Sequence, residues 1–499
     1  MNRGAKLKLN VATSLAAQLA ITVSGFILPN FFIRYYGSEV NGLISSITQF
    51  LAIISLCDCG VGAVVQAALY KPIAEKDDLE ISRIYKSSVI FFNKVAVILI
   101  IYMVVLIIIF PNIIVNSFSP LYTGILIFSV TISMLAQYYF AITDKLMLNA
   151  AQLSYIQRIV TIICTVSNII VSVILMVVGA SIQVVKLVSS AVFLLQPLVF
   201  KLAVHRNFNI DRNVVLNIEP IKQKWNGLAQ HIATVVLENT PTLLLTVFST
   251  LENVSVYAVY HLVTNGLKLV FTTVADNMKS LLGDMYARKE MKLLNNTFSE
   301  FEWLMHTFVS FAYSLAAVLI IPFVKVYTAG VTDANYIAPE FGYLLCLAFA
   351  IYVIRLPYSQ MVTAVGHFKQ TQTSAIIEVF LNLGISIITI INFGLIGVAL
   401  GMAVAMVYRT VYFVWYLSKN VLCRKMSIFW KQVAIDLLYV VIVIITTQWM
   451  ELESVSYLGW FNMAVKAGII ALVEAAGITM IFSRNEFEGT IKRLRGKKS

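Results

Sequence analysis

Residues 87–110 read SSVIFFNKVAVILIIYMVVLIIIF, 24 residues that carry a single charge, Lys94. At ~1.5 Å of rise per residue a helix of that length reaches about 36 Å, enough to cross a hydrocarbon core of roughly 30 Å. A membrane-barrel strand needs only about ten residues, so the run is too long to be one. Similar runs recur along the whole chain, which makes this an all-α polytopic membrane protein. Its composition agrees: 59% of the 499 residues are hydrophobic and 12% are charged. A soluble chain is about 45–50% apolar and about 25% charged, so the soluble-enzyme class is excluded.

Runs of this kind predict fourteen spans, near 10–33, 39–66, 87–110, 120–143, 158–178, 181–203, 225–250, 254–279, 299–324, 336–362, 372–391, 394–417, 429–448 and 457–482. An even count puts both termini on one side, and the basic residues say which. With the termini inside, the inner segments hold 29 of the 37 Lys and Arg, and the outer loops hold only Arg34 and Lys325. Retained cytoplasmic loops concentrate Lys and Arg, so both termini are expected in the cytoplasm of a bacterial inner membrane. The net charge of +12 is therefore a topology signal and does not indicate nucleic acid. All six tryptophans (225, 303, 415, 430, 449 and 460) fall near predicted span ends, where an amphipathic indole prefers the headgroup layer. The N-terminal run ends at no small-residue cleavage site, so it is read as a retained first helix.

The central basic stretch 205–224 divides six spans from eight. Landmarks then recur at a near-constant interval along the chain: Pro29 with Pro241, Glu39 with Glu252, and Pro111 with Pro322. The expected organisation is a six-helix lobe at 1–204, the central loop at 205–224, a second six-helix lobe at 225–418, and two added helices with a basic tail at 419–499. Parallel repeats that enclose a cavity describe a transporter with alternating access.

Ionisable groups inside spans cost about 2.5–3.5 kcal/mol each on insertion scales, so each needs a reason. The basic ones are Lys94, Lys186, Lys268, Arg355, Arg409 and Lys466; the acidic ones are Asp58, Glu238, Glu378, Asp436 and Glu474. Glu238 and Lys268 lie almost equally far along the chain on either side of the turn at Glu252, which places both near mid-bilayer on adjacent antiparallel helices. His231 and His261 each stand seven residues, close to two turns, from these charges. This pattern reads as a substrate or ion site, against a buried ion pair that fixes two helices. Pro241 should bend its span just beyond Glu238 and act as a gate, with Pro29 as its counterpart. Asp436, Lys466 and Glu474 are expected to tie the two added helices together. Glu378 and Arg409 lie nearer inner span ends, where snorkelling is the plainer reading.

Several chemistries are missing. There is no phosphate-cradling glycine loop, no paired metal-ligand spacing and no serine elbow. The five cysteines, at 57, 59, 164, 346 and 423, read as reduced packing residues. With no outer loop longer than the dozen residues between Val326 and Ile337, no enzyme, cofactor or metal is expected.

Residues Phe32-Ile33-Arg34-Tyr35-Tyr36-Gly37-Ser38-Glu39-Val40-Asn41-Gly42-Leu43, followed by Leu56-Cys57-Asp58-Cys59-Gly60-Val61-Gly62, resemble the first two helices of bacterial polysaccharide repeat-unit flippases. These are Wzx-type members of the multidrug/oligosaccharidyl-lipid/polysaccharide exporter superfamily. Residues Leu69-Tyr70-Lys71-Pro72-Ile73-Ala74-Glu75-Lys76 also look like capsule or exopolysaccharide members. The motif match covers about the first ninety residues; beyond them the likeness is one of topology.

The resemblance implies a flippase that carries an undecaprenyl-pyrophosphate-linked oligosaccharide from the inner to the outer leaflet, for capsule, O-antigen or exopolysaccharide synthesis. Its partners would be the lipid-linked substrate, the bilayer, a polysaccharide polymerase and other assembly proteins. Lys268, Lys186, Lys94, Arg355 and Arg34 could line a cationic headgroup cavity. In related lipid-carrier flippases a first-helix arginine helps bind the pyrophosphate; Arg34 sits further along the helix. Glu238, Asp58 and Glu378 are the coupling candidates for a proton or sodium ion. In fourteen-span relatives the last two helices form a groove for the lipid tail, which corresponds here to 429–482. The rival reading is a multidrug or cation antiporter of the same superfamily, which predicts an acidic, aromatic-lined cavity. In-span charge here is near balance.

Overall fold

The structure is a computed structural model that describes residues 3–54, 61–114, 118–136, 141–211, 214, 228–484 and 487. Every regular element among them is a helix, as lipid demands, because a helix satisfies its backbone hydrogen bonds within one segment. Asp58, the residues from 215 to 227 and the basic tail beyond 487 lie outside the described residues, as does the side chain of His231.

Two compact units are present, Met1–Ser255 and Val256–Ser499. The first contains α1 (Arg3–Tyr36), α2 (Ser38–Ala52), α3 (Val61–Glu75), α4 (Asp78–Ile113), α5 (Pro120–Ala136), α6 (Ile142–Ala150), α7 (Ser154–Val177), α8 (Ile182–Phe193), α9 (Leu195–Asn207) and α10 (Leu228–Phe248). The unit boundary falls in the first turns of α11 (Leu251–Ala287). The second unit continues with α12 (Met291–Tyr327), α13 (Pro339–Ile354), α14 (Leu356–Ala364), α15 (Phe368–Phe393), α16 (Leu395–Asn420), α17 (Ser427–Thr447) and α18 (Tyr457–Phe482).

Eleven of the described helical segments are long and apolar enough to cross a membrane. The other three expected spans coincide with shorter or interrupted helices: α2 and α3 for 39–66, α5 and α6 for 120–143, and α10 for 225–250. Local chemistry explains some of the ends. Asp77 caps α4 by accepting a hydrogen bond from the Glu80 amide at 3.0 Å. Pro357, which has no N–H to donate, stands where α13 breaks into α14, and Arg355 occupies the junction.

Several backbone features recur at one interval along the chain. Left-handed residues terminate corresponding helices at Lys76 and Lys289 (φ 56° and 59°), Gln152 and Gly366 (58° and 73°), and Gly179 and Gly394 (83° and 50°). The members of each pair are separated along the chain by nearly the same interval as Pro29 and Pro241. Helix α6 recurs as α14, with both of its ends displaced by that interval. Even a polar pair recurs: Ser172 donates to Asn168 at 3.2 Å and Ser386 to Asn382 at 3.3 Å.

In the first unit, one core gathers residues of α3, α4, α6 and α9 around Phe92 and Phe200, and another gathers α2, α4, α5 and α8 around Leu43 and Phe110. Helix α10, expected to open the second lobe, packs on α2: Ser46 and Thr246 hydroxyls bond at 2.7 Å, and Asn41 donates to Ser255 at 2.7 Å. In the second unit α15 and α16 pack most closely. Gly397 and Gly401 allow this, since a Cβ on Gly401 would overlap the Ser386 hydroxyl and come within 2.9 Å of the Asn382 carbonyl.

Candidate functional site

The second unit gathers most of the charges expected inside the membrane, and α13 organises them. On one side of α13 runs a line of aromatic and cationic groups. Tyr257 stacks on His261 (5.3 Å between ring centres), and His261 meets Phe349 edge-on at 5.5 Å. Lys268 lies 6.0 Å from the Phe349 ring and 5.4 Å from that of Tyr352; the Arg355 guanidinium lies 4.7 Å from Tyr352. Beyond Arg355 comes Glu378, whose two oxygens take Arg355 and Arg409 respectively. Arg409 also sits 5.0 Å from the Phe413 ring.

This cluster corrects the expected snorkelling of Glu378 and Arg409: both are buried, at 0% and 3% exposure. Paired with each other inside the helix bundle, the two need not reach the interface for a partner. The cluster is net positive, and Nε and Nη2 of Arg409 have no hydrogen-bond partner among the described residues. Glu378, with both oxygens engaged, is poorly placed to bind a coupling ion.

On its other side α13 borders a cavity of about 1150 Å³, walled by α12, α13, α16, α17 and α18. Val318, Leu347, Ile351, Val407, Val440 and Ile444 make its surface mainly apolar, and Asp436 breaks that surface midway along α17. Lys325 and Glu451 stand at one rim.

Two clusters on α12 escaped the sequence reading. Glu302, 4% exposed, is gripped by Arg424 at 2.6 Å and receives the hydroxyl hydrogen bond of the buried Tyr358. One turn on, His306 is fully buried and bonds through Nδ1 to Asp436. Spaced i, i+4, Glu302 and His306 share one face of α12, and that spacing was the available signal. The expected tie among Asp436, Lys466 and Glu474 does not form. Asp436 joins α17 to α12, Lys466 pairs with the exposed Glu453 at 2.7 Å, and one buried oxygen of Glu474 has no partner among the described residues.

The remaining candidates lie in the first unit. Lys186 on α8 sits 4.3 Å from the Phe32 ring of α1. Arg34 and Glu238 are exposed, Pro29 and Pro241 lie inside α1 and α10, and Lys94 shares an exposed stripe with Ile90, Val97, Ile98 and Ile101. Outside the spans, burial and the nearby Arg158 push Lys145 down to about 8. No group of three or more His, Cys, Asp or Glu side chains suited to a metal occurs among the described residues.

No known family pattern and no curated protein matches the sequence. Solved structures do match the fold. A lipid II flippase, MurJ, in an inward closed conformation superposes with a TM-score of 0.69 at 15% identity, covering 96% of this chain and 99% of that one. An inward-facing multidrug transporter of the MATE family, of the MOP superfamily, gives 0.56 at 15% identity, covering 82% and 98%. The Vibrio cholerae MATE transporter VcmN in its bent form gives 0.53 at 13%, covering 85% and 99%. The chain thus has the fold of these flippases and transporters.

Proposed function

We propose that this chain is a Wzx-type flippase that moves an undecaprenyl-pyrophosphate-linked oligosaccharide from the inner to the outer leaflet by alternating access. The observation that carries the reading is the two-sidedness of α13. Phe349, Tyr352 and Arg355 face the cationic line while Leu347, Ile351 and Ile354 face the apolar groove. Such a helix suits an amphiphile whose anionic headgroup and long alkyl tail part company on either side of it. Guanidinium and ammonium groups bind pyrophosphate oxygens, and the aromatic rings beside them suit a sugar face.

The full architecture in this reading is fourteen spans in two pseudo-symmetric six-helix lobes, plus α17 and α18, with both termini in the cytoplasm. The recurring left-handed turns support the duplication. The larger coverage by the lipid II flippase fold than by the MATE folds is what an added helix pair would give. Lys268 and Arg355 would meet the headgroup, with Lys186, Lys94 and Arg34 as further cations along its path; Glu238 and Asp58 would serve ion coupling. Pro29 and Pro241 would be the bends about which their helices move. The rival, an antiporter of cationic drugs, fits less well, because a net positive buried cluster repels its cargo.

The test is export in cells that depend on this chain for a surface polysaccharide. Lys268→Ala and Glu238→Ala should each abolish the polymer while the protein remains inserted at normal levels. Normal export from both variants would refute the assignment.

A further inference from the structure

We propose that His306 and Asp436 form a proton-binding site that ties α17 to α12 and thereby sets the width of the apolar groove. The surroundings of the pair are sparse in charge. Asp436 accepts from His306 Nδ1 and, weakly, from Gln432 at 3.4 Å, and makes no other ion pair among the described residues. His306 Nε2 is buried and has no partner among them. With His306 neutral, therefore, a carboxylate stands in an apolar wall with no counter-charge. With His306 protonated, the same two residues become a neutral ion pair, and the proton resides on the imidazole.

The other charges on the elements packed here are already committed or remote. On α12, Glu302 is held by Arg424 and by Tyr358 of α14; Lys325 stands at the rim of the groove. On α16, Arg409 belongs to Glu378. On α18, Lys466 pairs with Glu453, and one buried oxygen of Glu474 has no partner among the described residues. From α13 only Tyr343 and Cys346 reach the groove as titratable groups.

Asp436 also borders open space. Asp436 lines the groove and, in addition, a separate small pocket between α12, α17 and α18, bounded by Thr307, Gln432, Thr479 and Ser483. That pocket is about 20 Å³, room for about one water. Asp436 thus stands between two spaces, in the wall that α12 and α17 share. Loss of the proton removes the ion pair that joins α12 to α17 and leaves an uncompensated carboxylate, which favours the parting of the two helices. A groove that loosens and tightens with one proton is a means of coupling tail release to a proton gradient. This use rests on the flippase reading; the proton site itself does not.

The test therefore contains no substrate. Full-length protein in lipid nanodiscs, with its native cysteines replaced by serine, would carry spin labels at the exposed positions Phe308→Cys on α12 and Val441→Cys on α17. Their separation would be followed by double electron–electron resonance through about pH 5 to 8. One transition is expected, with the longer separation at higher pH. It should vanish in Asp436→Asn and in His306→Gln, and persist in Glu474→Gln. A separation independent of pH in the otherwise native protein overturns the proposal, as does a transition that survives in His306→Gln or is lost in Glu474→Gln. Should Asp436→Asn fail to insert, His306→Gln decides, since it keeps the carboxylate. Polysaccharide export could still be normal in that case, so the two readings fail separately.

Discussion

Glu378→Gln removes the one negative charge in the buried cluster and leaves Arg355 and Arg409 facing each other with no carboxylate between them. Breaking a buried ion pair by removing one partner costs about 3–5 kcal/mol, here roughly a hundredfold to a few thousandfold in the folded population. For a unit of this size, about 2–4 °C per kcal/mol, that predicts a fall of about 6–20 °C in the denaturation midpoint. Arg409→Met should behave quite differently. It leaves Arg355 and Glu378 as a balanced pair and deletes the two guanidinium nitrogens that have no partner among the described residues. Replacing surplus buried charge by an apolar chain of similar volume is neutral or stabilising, so Arg409→Met should stay within about 1 kcal/mol of the parent. Both midpoints can be measured on purified protein in detergent by the thermal shift of fluorescence-detected size exclusion. A parent-like midpoint for Glu378→Gln, the outcome expected were Glu378 a free ion-coupling carboxylate, would refute this account of the cluster. Equal losses in the two variants would refute it as well.

Two further outcomes follow from particular residues. Gly401→Ala should destabilise by about 1–3 kcal/mol through overpacking against Ser386 and Asn382, whereas Gly384→Ala, with open space at its Cβ, should not; detergent denaturation midpoints compare the two. Lys145 holds its proton less tightly in the folded protein, at about 8 against an ordinary 10.5, because burial and Arg158 disfavour its charge. Between those values the unfolded chain binds a proton that the native chain lacks, so stability should rise as pH increases through that window. Midpoints measured across it should lose this rise in Lys145→Met and keep it in the parent; a rise that persists in Lys145→Met refutes the assignment.

Much of the architecture was legible without coordinates. A run such as 87–110 can only be a long helix in lipid, and it is one, within α4. The candidate charges were legible one by one, since an ionisable residue stands out in an apolar run. Their partnerships were not. Glu378 lies 23 residues from Arg355 and 31 from Arg409, and Asp436 lies 130 from His306, so no periodicity along one helix connects them. Glu302 and His306 were in plain view at i, i+4 and were missed because they lie toward the charged end of their span.

The sequence by itself determined membrane residence, the helical class and the number of charges that need an explanation inside the bilayer. Each of these follows from transfer energies that act on residues separately, and so can be summed along a chain. Only the tertiary structure decided which charges neutralise one another, that the partner of Asp436 lies on α12 and not on α18, and that α13 divides a cationic line from an apolar groove. A buried charge interacts strongly over a few ångströms and with whichever helix packs against it, and packing is a property of the folded chain alone.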